Sequence, residues 1–273
     1  MTRSTTQAIS PFFIVSNVDR TIAFYRDQLG FETRFQQPDR NPFFAILGRD
    51  GAQIFVKSDK DTRPLPNPKR NPSMKWDAYI YAPDPDALAI EFAGNGAALS
   101  VPLKDTQDGL RGFEIRDPDG YVLFLGRPKT LSSGNHQPVE TSPKPTLVAA
   151  EPQLFVTDVA ASCEFYRKKL GFTIAFIYGE PPFYAQVFRD GARLNFRHLD
   201  EPAIDPALQD KENLISASIT VDSADPLFSE FQTAGVLFHQ PIKTEPWGAR
   251  TFIVRDPDGN LILFAGNPAE NLR

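Results

Sequence analysis

Two rhythms of apolar positions alternate along the chain, one falling on every second residue and one on every third or fourth. Alternating or short apolar runs near residues 8–15, 31–36, 42–48 and 52–57 predict strands. The wider spacing from Val18 to Gln28, with Asn17 placed to cap it, predicts a helix. The same order then returns as a strand near Trp76–Ala82, a helix after Asp84 through about Phe92, and strands near 98–103, 111–116 and 121–125. In the second half, Asp158 caps a helix through Lys169. Ser223 or Asp225 opens another that ends before Gly235, glycine being the residue favoured just past a helix end. Asp117-Pro118-Asp119-Gly120 and Asp256-Pro257-Asp258-Gly259 lie between apolar runs. Proline presets φ and Asp-Gly accommodates a tight reversal, so each predicts a hairpin turn.

The halves also resemble each other residue by residue. Val15 to Phe31, with Phe24-Tyr25-Arg26 and Leu29-Gly30-Phe31, returns as Val156 to Phe172, with Phe165-Tyr166-Arg167 and Leu170-Gly171-Phe172 (156 − 15 = 141). Pro42 to Ala52 returns as Pro182 to Ala192 (182 − 42 = 140), and Arg116 to Gly120 as Arg255 to Gly259 (255 − 116 = 139). Three blocks in constant order with near-constant offsets mark an internal duplication. Between the copies, a stretch rich in Pro, Ser, Thr, Gly and Asn has the composition of an exposed linker. The expected division is therefore a first domain at 1–126, a linker at 127–146 and a second domain at 147–273.

Composition narrows the function classes. The net charge of −5 lacks the basic excess that nucleic-acid phosphates demand, and no apolar run approaches the roughly 18 residues needed to span a membrane. Neither nucleic acid nor membrane is an expected partner. The polar opening stretch Met1–Ser10 lacks the apolar core of a secretory signal, so the cytoplasm is the expected location. The single cysteine, Cys163, aligns with Ile22 and reads as a small core residue. With 23 Phe, aromatic surface is available for cores and for a ligand cleft alike.

Taken jointly, Val-x-(Asn/Asp)-Val before a helix carrying Phe-Tyr-Arg, Leu-Gly-Phe at its exit and a terminal Arg-Asp-Pro-Asp-Gly turn resemble the vicinal oxygen chelate superfamily of glyoxalases, bleomycin-resistance proteins and extradiol dioxygenases. The resemblance implies an α+β fold of four βαβββ modules, forming two tandem domains with curved mixed sheets around clefts. It also implies four metal-ligand positions per cleft, which in copy one fall on Ser10, Phe55, Asp77 and Phe124. In copy two they fall on Glu151, Asn195, Ser216 and Phe264. Neither copy supplies a full set of lone-pair donors. Pairing of modules across the copies would join Glu151 and Asn195 with Asp77 and Phe124, leaving a residual set of Glu151, Asp77 and Asn195 as the weaker, metal-binding alternative.

Pro11 and Pro152, each just after the first ligand position, are similar to the bleomycin-resistance branch, which binds drug without metal. That branch implies a cleft holding a large, often cationic molecule by aromatic stacking and acidic side chains. The expected ligand-binding residues are Asp77, Phe124, Glu151, Asn195, Arg197, Phe264, Phe55, Trp76 and Trp247, with no cofactor. The expected function is metal-independent binding of a small organic molecule, with sequestration of a drug or toxin its most concrete version. The alternatives are a lyase, isomerase or oxygenase with a divergent site, and a structural descendant whose clefts bind nothing. Whether the chain works as a monomeric pseudo-dimer or a homodimer stays open.

Overall fold

The computed structural model describes residues 4–58, 63–129, 145–201, 214–246 and 248–266. Trp247 and positions 130–144 of the expected linker lie outside the described residues.

Four strand-helix-three-strand modules follow one another. The first is β1 (Thr6–Ile14), α1 (Val18–Leu29), β2 (Glu32–Gln37), β3 (Phe44–Arg49) and β4 (Ala52–Lys57). After a short α2 (Asn67–Arg70), the second is β5 (Ala78–Tyr81), α3 (Pro85–Gly94), β6 (Leu99–Asp105), β7 (Leu110–Arg116) and β8 (Val122–Pro128). The third is β9 (Ala149–Val156), α4 (Val159–Leu170), β10 (Thr173–Tyr178), β11 (Tyr184–Arg189) and β12 (Ala192–His198). The fourth is β13 (Ile215–Val221), α5 (Ala224–Thr233), β14 (Phe238–Thr244), β15 (Arg250–Arg255) and β16 (Leu261–Gly266). The predicted elements recur with shifted ends; α2 is too short to leave a periodic trace. Arg127 and Pro128, expected in the linker, belong to β8. The ladder continues through Arg111↔Arg127 and Leu110↔Pro128, because backbone pairing does not depend on the polar side chains that suggested a linker.

The strands form two eight-stranded mixed sheets, in the orders β14-β15-β16-β13-β1-β4-β3-β2 and β10-β11-β12-β9-β5-β8-β7-β6. First module therefore goes with fourth, and second with third, which answers the question of pairing left open by the sequence. By contacts the chain divides into one unit of Met1–Phe13, Arg70–Met74 and Glu151–Arg273 and another of Ile14–Lys69 and Lys75–Ala150. Within the first unit, β1 runs antiparallel to β13 through Ile9↔Ile219 and Ser10↔Ser218.

The helices α1 and α4 form for reasons written in their ends. Asn17 Oδ1 accepts from Arg20 N and Asp158 Oδ1 from Ala161 N, satisfying N–H groups that the first turn leaves open. Gly30 and Gly171 end α1 and α4 at φ of 67° and 68°, left-handed backbone that favours glycine. The buried stripe of α4, with Val159, Cys163, Tyr166 and Leu170, packs on the inward residues Ala185, Val187, Leu194 and Phe196 of its sheet. Burial pushes the Cys163 thiol up to about 11, which suits a core residue.

The Asp-Pro-Asp-Gly segments are turns, with Gly120 N donating to Asp117 O and Gly259 N to Asp256 O. They also tie strand to helix. Asp119 Oδ2 accepts from Ser16 N and its Oδ1 from Arg20 Nη2, while Asp258 Oδ1 accepts from Thr157 N and Thr157 Oγ1. The first aspartate of each turn is buried and bonded to backbone N–H groups of its own turn.

Candidate functional site

In the third module, α4 covers one face of β10 to β12 and leaves the other face to a different set of side chains. Ala185, Val187, Leu194 and Phe196 point to the helix side. Strict alternation then puts Tyr184, Gln186 and Phe188 of β11 and Arg193, Asn195 and Arg197 of β12 on the opposite face. The registers Asn195↔Gln153 and Arg197↔Phe155 add Gln153 and Phe155 of β9, and with them Glu151 two residues before, to the same face.

Here the polar side chains form one connected cluster. Glu151 Oε2 accepts from Asn195 Nδ2 at 2.9 Å and from Gln186 Nε2 at 3.0 Å. Asn195 Oδ1 accepts from Tyr184 Oη at 3.0 Å and Gln186 Nε2 at 3.1 Å, and Arg193 Nη1 donates to Gln186 Oε1 at 3.1 Å. Glu151 is 6% exposed and Asn195 1%. Burial pushes the Glu151 carboxyl above the usual range, opposed by the hydrogen bond from Asn195, the charge of Arg193 and the hydrogen bond from Gln186. Aromatic rings frame the cluster: Phe176 lies 5.9 Å from Tyr184, Arg193 sits over Phe188 at 5.2 Å and Arg197 over Phe183 at 5.8 Å.

The second module fills the corresponding face differently. Phe124 stacks on Trp76 at 4.2 Å and on Tyr79 at 5.5 Å, and Trp76 Nε1 donates to Glu114 Oε1 at 2.7 Å. Gly112 and Gly126 make room for that ring: a Cβ on either would come within 2.5 Å or 2.8 Å of Phe124. Phe124, expected to line or fill a cavity, is 2% exposed and packed within this stack.

Of the other expected residues, Asp77 is engaged with backbone. Its Oδ1 accepts from Asn67 N and its Oδ2 from Val122 N, both at 2.7 Å, so its charge holds α2 and β8 in place. Phe55 packs edge-on against Phe44 at 5.9 Å. Phe264 is a correction. It lies on the helix side of β16, stacked on Phe252 at 4.9 Å and against Phe231, in the core under α5. Ser218↔Leu263 repeats Tyr79↔Phe124, so Leu263 takes the place of Phe124 in the fourth module. A one-residue slip in alignment turns every side chain of a strand to the opposite face. Tyr184, Gln186 and Gln153 were not foreseen. The duplication carried a signal for them, because they replace Phe44, Ile46 and Phe12 of the first copy, three polar or hydroxylated residues at apolar positions.

A divalent ion needs several lone-pair donors converging on one point. Phe55, Phe124 and Leu263 carry none, the Asp77 oxygens accept from backbone, and Asn195 is bonded on both its amide atoms. Among the described residues, no three His, Cys, Asp or Glu side chains are grouped to hold a metal ion. The residues at these positions do not fit one.

The family described as "Glyoxalase/Bleomycin resistance protein/Dioxygenase superfamily" matches residues 8–125 and again 148–264. A bleomycin resistance protein of Staphylococcus aureus is 32% identical over 124 residues, covering 41% of this chain and 92% of that protein. In fold the chain is similar to glyoxalase I from Zea mays, with a TM-score of 0.66 at 16% identity, covering 97% of this chain and 93% of the maize protein. A putative dioxygenase from Bacillus subtilis gives a TM-score of 0.65 at 12% identity, covering 98% of this chain and 87% of that one.

Proposed function

This chain belongs to the glyoxalase/bleomycin resistance protein/dioxygenase superfamily, and from that premise we propose that it binds a small organic molecule on the helix-free face of β9 to β12, acting by sequestration without a metal. The observation that carries the reading is the hydrogen-bonded cluster of Glu151, Asn195, Gln186 and Tyr184 within a frame of aromatic rings. Buried polar groups cost free energy unless paired, and the first copy forms the same strands with Ser10, Phe44, Ile46 and Phe55 at the equivalent positions. A polar cluster kept where the fold does not need one suits ligand recognition. Ligand sites combine apolar walls with a few convergent polar groups, and this face has both. The bleomycin resistance relative makes drug-like molecules the first class to try.

Thermal unfolding in the presence of bleomycin and a panel of aromatic antibiotics tests the reading. A ligand at about 100 times its Kd stabilises the native state by about 2.7 kcal/mol, a shift of several degrees in Tm. At least one compound should produce that shift in the wild type and lose it in Asn195→Ala. No shift from any compound, or one that survives both Asn195→Ala and Glu151→Ala, would overturn the reading. One equivalent of Zn, Ni, Fe or Mn in the purified protein by elemental analysis would replace it with an enzymatic one.

A further inference from the structure

The β9–β12 face is organised in rows across the strands, and each row has a distinct chemistry. One row runs Tyr178, Tyr184, Arg197, Phe155. The next runs Phe176, Gln186, Asn195, Gln153. Phe188 pairs with Arg193 in a third, at the end of the face nearer Glu151. In the first row a guanidinium sits between aromatic neighbours. Arg197 contacts the Phe183 ring, and among the described residues no carboxylate pairs with it. Diagonal to it in the second row, the Gln153 side chain is 4% exposed and its Nε2 donates to no described residue. A buried amide N–H without an acceptor destabilises the structure that holds it, so a site that retains one has an acceptor to gain from a ligand.

The charges on this face separate along the strands. Glu151 lies two residues before Gln153, and its Oε2 is covered by two amide donors. Arg197 lies toward the other end, beside Phe155. An acid-lined site for a cation would need a second carboxylate, and the three rows named above contain none. The open electrostatic valence of the face is positive.

Resting on the proposed binding function and deepening it, we propose that this face takes a planar aromatic molecule bearing a carboxylate. The carboxylate pairs with the Arg197 guanidinium and accepts from Gln153 Nε2, while the aromatic ring lies over Tyr184 and Phe176. A guanidinium presents a fixed planar fork of N–H groups, which favours the two-point geometry of a carboxylate. The ring supplies apolar area against two aromatic side chains whose faces are inclined by 31°.

Three probes with one ring system and different charge separate this from the broader reading: 1-naphthoate, 1-naphthylmethanol and 1-naphthylmethylammonium, titrated calorimetrically into the full chain. Naphthoate should bind about ten-fold more tightly than the alcohol, and the ammonium more weakly than either. Arg197→Gln should bring naphthoate down to the affinity of the alcohol and leave the alcohol unchanged. Gln153→Met should weaken naphthoate by a smaller factor, and Arg197→Lys should restore part of the preference. Unchanged Tm values in these variants would show that the fold is intact. An ammonium that binds best, or a carboxylate preference that survives Arg197→Gln, would overturn the inference and leave the binding function standing. Failure of all three probes would remove the inference too, with the antibiotic panel then deciding the broader reading separately.

Discussion

The β9–β12 face and its counterpart in the first module are built on the same backbone with opposite chemistry. Gln186↔Asn195 in one is Ile46↔Phe55 in the other, and Tyr184↔Arg197 is Phe44↔Lys57. Glu151 answers to Ser10 and Gln153 to Phe12. On the first-module side, Phe55 meets Phe44 edge-on and Phe44 meets Phe35, so apolar contact holds the strands' exposed face together. On the third-module side, a carboxylate, two amides and a phenol do so. Strand pairing is indifferent to which is used. The duplication therefore separates what the architecture requires from what one copy has retained or acquired beyond it.

The comparison breaks most severely at the position where the two copies are easiest to confuse. Phe264→Ala removes a fully buried ring from the core under α5 and should cost about 3–5 kcal/mol. Leu263→Ala, one residue earlier on a half-buried position, should cost clearly less. Equal losses in urea unfolding would mean that the assigned faces of β16 are wrong. Next in size, Phe55→Ala should destabilise by about 3 kcal/mol through the cavity it leaves. Asn195→Ala, which strips one donor from Glu151, should cost about 1–3 kcal/mol. Only the second of these two should abolish ligand-dependent stabilisation; its loss in both variants would mean that the two faces do not differ in role.

A pH titration reaches both halves at once. Burial pushes Asp117 and Asp256 up to about 7, chiefly by disfavouring the charged form. A carboxyl that holds its proton more tightly when folded than when unfolded, where its pKa is about 4, adds stability that is fully present below about 4 and is lost as the pH rises through about 7. The share of each aspartate should vanish in Asp117→Asn and Asp256→Asn, measured as the slope of unfolding free energy between those limits. The halves differ in one detail: Tyr166 Oη donates to Asp256 Oδ2 at 3.2 Å, whereas Tyr25 Oη and Asp117 Oδ2 bond to no described residue. Tyr166→Phe should therefore cost about 1 kcal/mol and Tyr25→Phe less. For four substitutions made together, a small change is expected from copying one face onto the other. Glu151→Ser, Tyr184→Phe, Gln186→Ile and Asn195→Phe together should leave stability within about 1.5 kcal/mol, because removing all partners of a polar network leaves none unsatisfied. A large loss would show that the cluster serves the fold.

Much of this organisation is legible in the chain itself. The duplication, the helix caps Asn17 and Asp158, the glycine ends and the Asp-Pro-Asp-Gly turns are set by local chemistry, so their residues announce them. The grouping of Glu151 with Asn195 was implied by the resemblance to the family's ligand positions, and the hydrogen bond between them gives it a geometry. The equivalence of Leu263 with Phe124 was legible too, since the offset of 139 between the two Arg-Asp-Pro-Asp-Gly turns gives it (124 + 139 = 263) and the register across the sheet agrees. Two things needed the tertiary structure. Asp77 looked like a free charge, but two backbone N–H groups from distant residues claim it. The association of first module with fourth and second with third left no periodic or compositional mark. Side-chain patterns encode which face of a strand is buried; which strand lies alongside is decided by backbone hydrogen bonds that every sequence carries alike.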